Sequence, residues 1–90
     1  MKKYLIERRI PGVHRFSPAE YAGATAVSNA ALAKLAPRIQ WVESYVTEDQ
    51  TLCVYIAEDE NVIHEHAKLS GFPADRITEV STKIDPMTRA

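Results

Sequence analysis

Four short runs rich in β-branched and aromatic residues recur along the chain, separated by polar turns and by two stretches with helical start and stop signals. Runs of this kind, bounded by turn-forming residues, are typical of β-strands. The predicted strands span residues 3–9, 39–47, 51–57 and 76–84. Only the polar triplet Glu48-Asp49-Gln50 separates the middle two, which predicts a hairpin.

The stretch after the first strand carries a strong signal for the start of a helix. In Ser17-Pro18-Ala19-Glu20, the serine hydroxyl and the glutamate carboxylate can each accept a hydrogen bond from an amide at the helix start, and proline takes the first helical position. Phe16 and Tyr21 flank this box and predict a hydrophobic staple. The helix is expected to run to about Ala36, because Pro37 disfavours helical backbone in the residue before it.

A second helix is predicted between the third and fourth strands. Asp59 is its expected N-cap, the helix runs through about Ser70, and Gly71 followed by Pro73 forms its C-terminal stop. The element order is therefore β-α-β-β-α-β within a single domain, residues 1–90. This order predicts an α+β, ferredoxin-like fold with a four-stranded antiparallel sheet and two helices on one face.

Alternation along each strand assigns side chains to the two faces of this sheet. If the aliphatic residues of the third strand pack under the helices, the helix-facing set is Leu52, Val54, Ile56, Val42, Val46, Val80 and Ile84. The open face then carries Trp41, Glu43, Tyr45, Cys53, Tyr55, Glu79, Ser81 and Glu7. Exposed aromatic patches usually mark an interface or a ligand site, so we expect a second copy of the sheet to cover this face and close a dimeric α+β barrel.

Composition and charge exclude several classes of function. Eleven basic and twelve acidic residues give a net charge of -1, without the basic cluster that binds nucleic acid or anionic lipid. No apolar run reaches the roughly eighteen residues of a membrane span, and the N-terminus lacks a signal-peptide pattern. The one cysteine, Cys53, permits neither an intramolecular disulfide nor a CxxC metal motif. We therefore expect a cytoplasmic protein without nucleic-acid or membrane partners.

The histidines give a weak metal signal. His64 and His66 are two apart on the second predicted helix, so their side chains point in different directions and do not chelate one ion as a pair. His66 falls on the apolar face of that helix, where a histidine is more often a packed structural group than a ligand, although neutral imidazole also binds transition metals. His14 precedes the first helix and is placed near the mouth of a dimeric barrel.

Seven segments, taken in order and with their spacing, resemble one known family. They are Tyr4-Leu5-Ile6-Glu7-Arg8, Pro11-Gly12, Ile39-Gln40-Trp41, Ser44-Tyr45-Val46, Cys53-Val54-Tyr55, His66-Ala67 and Gly71-Phe72-Pro73-Ala74-Asp75-Arg76-Ile77. Together they resemble the small nickel-binding protein family, formerly a domain of unknown function. The resemblance implies a ferredoxin-like subunit, a dimeric α+β barrel and, for a characterised member, nickel ions in and around that barrel.

The first hypothesis is therefore a homodimer that binds nickel or a similar divalent cation for sequestration or sensing. Nickel(II) accepts imidazole and carboxylate ligands readily. Chemistry selects the candidate metal ligands Glu7, Glu43, Glu79, His66 and His14, with Cys53 and Tyr45 as second choices.

Two further hypotheses stay open. The chain may instead supply a cofactor-free barrel enzyme, such as an oxygenase, isomerase or dehydratase, that holds a small organic ligand against Trp41, Tyr45 and Tyr55. His66 or Glu43 would then be the general base, and Tyr45 would donate to an oxyanion. Alternatively, the three aromatic residues bury one another in a dimer interface with no ligand.

Overall fold

The computed structural model describes residues 1–90 as a four-stranded antiparallel sheet with two helices on one face. The strands are β1 (Lys2–Arg9), β2 (Ile39–Val46), β3 (Gln50–Ala57) and β4 (Arg76–Glu79), and the helices are α1 (Pro18–Leu35) and α2 (Glu60–Ser70). The order in the sheet is β2-β3-β1-β4. The predicted β-α-β-β-α-β arrangement and its ferredoxin-like class are confirmed.

Both helices begin at the predicted caps. The Ser17 hydroxyl accepts a hydrogen bond from the Glu20 amide at 3.1 Å, and the Glu20 carboxylate accepts one from the Ser17 amide at 3.0 Å. Asp59 accepts a hydrogen bond from the Val62 amide at 3.0 Å and thereby caps α2. Gly71 follows α2 with a φ of 79°, a backbone conformation that glycine adopts without strain.

The assignment of faces was wrong for β3. Residues Thr51, Cys53, Tyr55 and Ala57 are buried on the helix side, whereas Leu52, Val54 and Ile56 are half-buried on the open side. The register with β1 explains this, because Tyr55 lies opposite Tyr4 and Cys53 lies opposite Ile6, and residues opposite each other share a face. Both sets are good strand formers, so alternation alone leaves open which set meets the helices.

A β-bulge in β2 places Trp41 and Glu43 on opposite faces. Trp41 pairs with Tyr55 on the helix side, Glu43 pairs with Val54 on the open side, and Val42 is the extra residue between them. Trp41 packs against the buried core, contrary to its prediction for the open face, while Glu43 and Tyr45 lie on the open face as predicted. Val42 is exposed and was wrongly expected on the helix side.

β4 is shorter than predicted and ends at Glu79, whereas the sequence pattern continues to Ile84. Glu79 lies opposite Tyr4, and the last ladder contact is the Val80 amide donating to the Lys3 carbonyl at 2.8 Å. Since β1 begins at Lys2, later residues have almost no strand left to pair with. Ile84 is consequently exposed and contributes nothing to the core. Neither helix combines the length and the hydropathy that crossing a bilayer requires.

Candidate functional site

A polar cluster lies inside the core, between the sheet and the two helices. It brings together Arg8 from β1, Tyr55 from β3, Ser28 from α1 and His66 from α2, all of them buried. Alternation with Tyr4 and Ile6 directs Arg8 toward the helices, and His66 follows Val62 and Ile63 on the buried face of α2. Every element except β2 and β4 therefore supplies one member of the cluster.

Arg8 is a buried cation without a carboxylate partner. Its side chain is in a residue only 3% exposed, and no Asp or Glu oxygen lies within salt-bridge distance. Nη1 donates instead to the carbonyl oxygens of Phe72 at 3.3 Å and Pro73 at 2.8 Å. These neutral acceptors hold the guanidinium in place and leave its positive charge uncompensated.

The contacts of His66 define its protonation. Nη2 of Arg8 approaches Nδ1 at 3.5 Å, and because a guanidinium can only donate, Nδ1 must carry the lone pair. The proton is then on Nε2, which donates to the Ser28 hydroxyl at 3.2 Å. Burial, and after it the charge of Arg8, lowers the pKa of His66 below its ordinary value. His66 is therefore neutral, and Ser28 keeps its own proton free to donate.

Tyr55 completes the cluster as a neutral phenol. Burial raises the pKa of Tyr55 above its ordinary value, against the opposing effect of the Arg8 charge. Arg8 lies over the Tyr55 ring, 5.7 Å from its centroid, and the Trp41 ring stacks near Tyr55 at 6.5 Å between centroids. The Trp41 indole N–H donates to the Ser44 hydroxyl at 2.8 Å. Aromatic surface and a cation thus face the same space.

That space is a cavity of about 530 Å³ between α1 and the sheet. The buried lining residues are Arg8, Val13, Ser28, Thr51, Cys53 and Tyr55. Exposed residues Arg9, Pro11, Val46 and Pro73 lie at its rim. Its only charged lining residues are the two arginines, and most of the rest are apolar. A cavity of this size is typical of sites for small organic ligands.

The segment between β1 and α1 forms one side of this cavity. The Phe16 and Tyr21 rings pack at 5.7 Å between centroids, which confirms the predicted staple, and both rings line the cavity. The Tyr21 hydroxyl donates to the Val13 carbonyl at 2.6 Å and so ties the short 3-10 turn Val13–Arg15 to the helix. The small residues Ala24 and Thr25 leave room where α1 crosses the sheet.

The open face of the sheet carries a different set of candidate residues. Glu7 is half-buried there and pairs with Arg76 at 3.6 Å between Nε and Oε2. Glu43 and Tyr45 lie two strands away, across β3. From strand spacing, the Cα atoms of Glu7 and Glu43 are about 12 Å apart. Half-buried aliphatic residues of β3 fill the interval between them.

The remaining predicted metal ligands lie apart from one another. His14 is exposed on the 3-10 turn and its Nδ1 donates to the Glu48 carbonyl at 2.7 Å. Glu79 is exposed at the end of β4 and pairs with Lys2 at 3.6 Å. His66 and Cys53 are buried on the helix side of the sheet. Within one chain, no three His, Cys, Asp or Glu side chains converge to hold a metal ion.

Sequence reasoning missed two of the four residues in the buried cluster, Arg8 and Ser28. A signal for Arg8 exists, because Tyr4, Ile6 and Arg8 alternate on a strand whose other members are buried. Ser28 carries a weaker signal, as a polar residue on the face of α1 that also contains Ala31 and Leu35. Neither spacing reveals that the two residues meet His66.

Comparison with known proteins identifies a family and a solved relative. Residues 4–80 match the family model described as "Nickel responsive protein SCO4226-like". The fold is similar to that in the crystal structure of SCO4226 from Streptomyces coelicolor A3(2), with a TM-score of 0.76 and 13% sequence identity over 91% of this chain and 99% of that one. No curated protein matches the sequence.

Proposed function

Because the chain belongs to the SCO4226-like family of nickel-responsive proteins, we propose that it binds nickel or a similar divalent cation for sequestration or sensing. The family match, which spans residues 4–80, is the observation that carries this proposal. One chain has no set of three converging ligands, so the proposed site needs ligands from two copies. A homodimer is therefore part of the proposal.

Two features of the open face support a dimer formed there. Leu5, Leu52, Val54 and Ile56 form a half-buried aliphatic surface without any covering element. Beside it, a hollow of about 320 Å³ is lined by Glu43 and by Lys3 and Lys83. A two-fold axis through this face would bring the acidic side of one copy against the basic side of the other.

Glu7 and Glu43 are the ligands that best fit such a site. Both carboxylates lie on the open face, where a two-fold axis can bring together residues that one chain keeps about 12 Å apart. Tyr45 lies opposite Leu52 on the same face and is a further oxygen donor within the proposed barrel. His66 and Cys53 lie beyond the sheet and stay outside this proposal. The unpaired, buried thiol of Cys53 suits a reducing cytoplasm.

Calorimetric titration of nickel into untagged, metal-stripped protein tests the proposal. We expect saturable binding with a fixed stoichiometry per dimer, and binding at least about tenfold weaker in Glu7→Gln and Glu43→Gln, since each change removes a negatively charged ligand. Glu60→Gln, at the exposed first turn of α2, is the matched control and should bind like the parent. Equal nickel binding by all four proteins would contradict the ligand assignment, and no saturable binding by the parent would contradict the function.

The enzymatic hypothesis loses its proposed catalytic set. His66 lies on the helix side of the sheet, whereas Glu43 and Tyr45 lie on the open side. A general base and an oxyanion donor on opposite faces cannot act on one substrate. Trp41 and Tyr55 also lie away from Tyr45, so the three aromatic residues do not form one interface patch.

A further inference from the structure

We propose that the cavity between α1 and the sheet binds a small organic monocarboxylate with an apolar body, held by Arg8. This site lies on the opposite side of the sheet from the carboxylates in the nickel proposal, and it involves none of them. Nickel binding and carboxylate binding are therefore independent properties that separate variants can test.

The positive charge of Arg8 is the first argument. A buried charge is stable when a partner or several hydrogen bonds compensate it, and Arg8 has two backbone carbonyls and a neutral imidazole, but no anion. A guanidinium has five N–H donors, so donors remain after these contacts. Its planar fork matches the two oxygens of a carboxylate, which makes a carboxylate the best complement to this site.

The neighbouring hydroxyl groups are the second argument. Because His66 donates to the Ser28 hydroxyl, Ser28 can direct its own proton toward the cavity. Thr51 also lines the cavity with a hydroxyl, which contacts the Cys53 sulfur at 3.4 Å. A cation and several hydroxyl donors with no acidic residue present only partners suitable for an anion.

The shape and the lining of the cavity limit the rest of the ligand. At about 530 Å³ the space is much larger than a simple inorganic anion needs. Val13, Phe16, Trp41 and Val46 provide apolar and aromatic walls. An aryl or branched aliphatic group would bury its surface against these walls while its carboxylate faces Arg8.

The test uses phenylacetate, 3-phenylpropionate and hexanoate as ligands, with phenylacetamide as the neutral analogue of phenylacetate. We expect saturable binding of at least one carboxylate per chain by calorimetry, and at least about tenfold weaker binding of the amide, because it lacks the charge that pairs with Arg8. Arg8→Gln should weaken carboxylate binding by a similar factor. Similar affinities for phenylacetate and phenylacetamide would overturn the proposal.

A second variant covers the case in which Arg8→Gln fails to fold. Ala24→Phe fills the cavity from α1 and leaves the polar cluster intact, whereas Ala26→Phe adds the same ring at an exposed position of the same helix. Only Ala24→Phe should abolish carboxylate binding. Equal binding by the two variants, or no saturation by any carboxylate below about 10 mM in the parent, would overturn the proposal. Glu43→Gln should leave carboxylate binding unchanged, which separates this result from that of the nickel titration.

Discussion

Arg8 and His66 face each other inside the core, with Nη2 of the guanidinium 3.5 Å from Nδ1 of the imidazole. Arg8 comes from β1 and His66 from α2, so this contact joins the sheet to the helix layer. A protonated imidazole would place two cations side by side in a buried site. The fold therefore depends on a neutral His66.

This dependence predicts a loss of stability in mild acid. The pKa of His66 is lowered by burial and by Arg8, so the unfolded chain takes up a proton near pH 6.5 that the folded chain refuses. The contribution to stability is complete above that pH and declines as pH falls toward the lowered pKa. Urea unfolding between pH 7.5 and pH 5 should show a decline from this group of at most about 1.4 kcal/mol per pH unit.

Two variants separate this effect from other titrations. His66→Asn removes the buried imidazole and should flatten the pH dependence, whatever its effect on the stability at pH 7.5. His64→Asn changes an exposed histidine of the same helix and should keep the parent slope. The prediction is wrong if the slopes of the His66→Asn variant and the parent coincide.

Replacement of Arg8 by lysine should also cost stability. An ammonium group is a single point donor on a different stem, so it cannot reproduce the fork that spans the carbonyls of Phe72 and Pro73 and the His66 ring. We expect Arg8→Lys to lower the free energy of unfolding by about 1–3 kcal/mol, the usual cost of lost hydrogen bonds to a buried charged group. Arg9→Lys, at the exposed neighbouring position, should change it little. Equal losses in the two variants would contradict the role of Arg8.

Local signals in the sequence predict most of the fold. Caps and turns define each helix to within about one residue, because Ser17, Asp59 and Gly71 satisfy backbone groups through contacts within a few positions. The faces of the strands depend instead on register and on long-range packing. The extra residue Val42 reverses the alternation in the middle of β2, and no local pattern marks it as a bulge.

The candidate site was less predictable for the same physical reason. Sequence analysis expected Glu7, Glu43 and Tyr45 on the open face, and the structure agrees. Cys53 and Tyr55 lie on the other face because the register with β1 decides their direction. The cluster around Arg8 joins four elements that are distant in sequence, so only the assembled fold brings it together.

The capping box at the start of α1 predicts a measurable contribution to stability. Ser17→Ala removes the acceptor of the Glu20 amide and leaves that amide unpaired at the helix start. We expect a loss of about 1 kcal/mol in the free energy of unfolding by urea. Ser81→Ala, in the exposed segment after β4, is the control and should unfold like the parent. A parent-like stability for Ser17→Ala would show that water replaces the cap at no cost.

The last prediction concerns the proposed dimer. Val54 lies at the centre of the open face, between Leu5 and Glu43, so a carboxylate there would be buried among aliphatic side chains in the proposed interface. We expect the parent to sediment at about twice its chain mass of 10.1 kDa and Val54→Asp to sediment as a monomer with parent-like far-ultraviolet circular dichroism. Val27→Asp makes the same substitution at an exposed position of α1 and should remain dimeric. A dimeric Val54→Asp would place the interface elsewhere, and a monomeric parent would remove the basis for a nickel site shared between two copies.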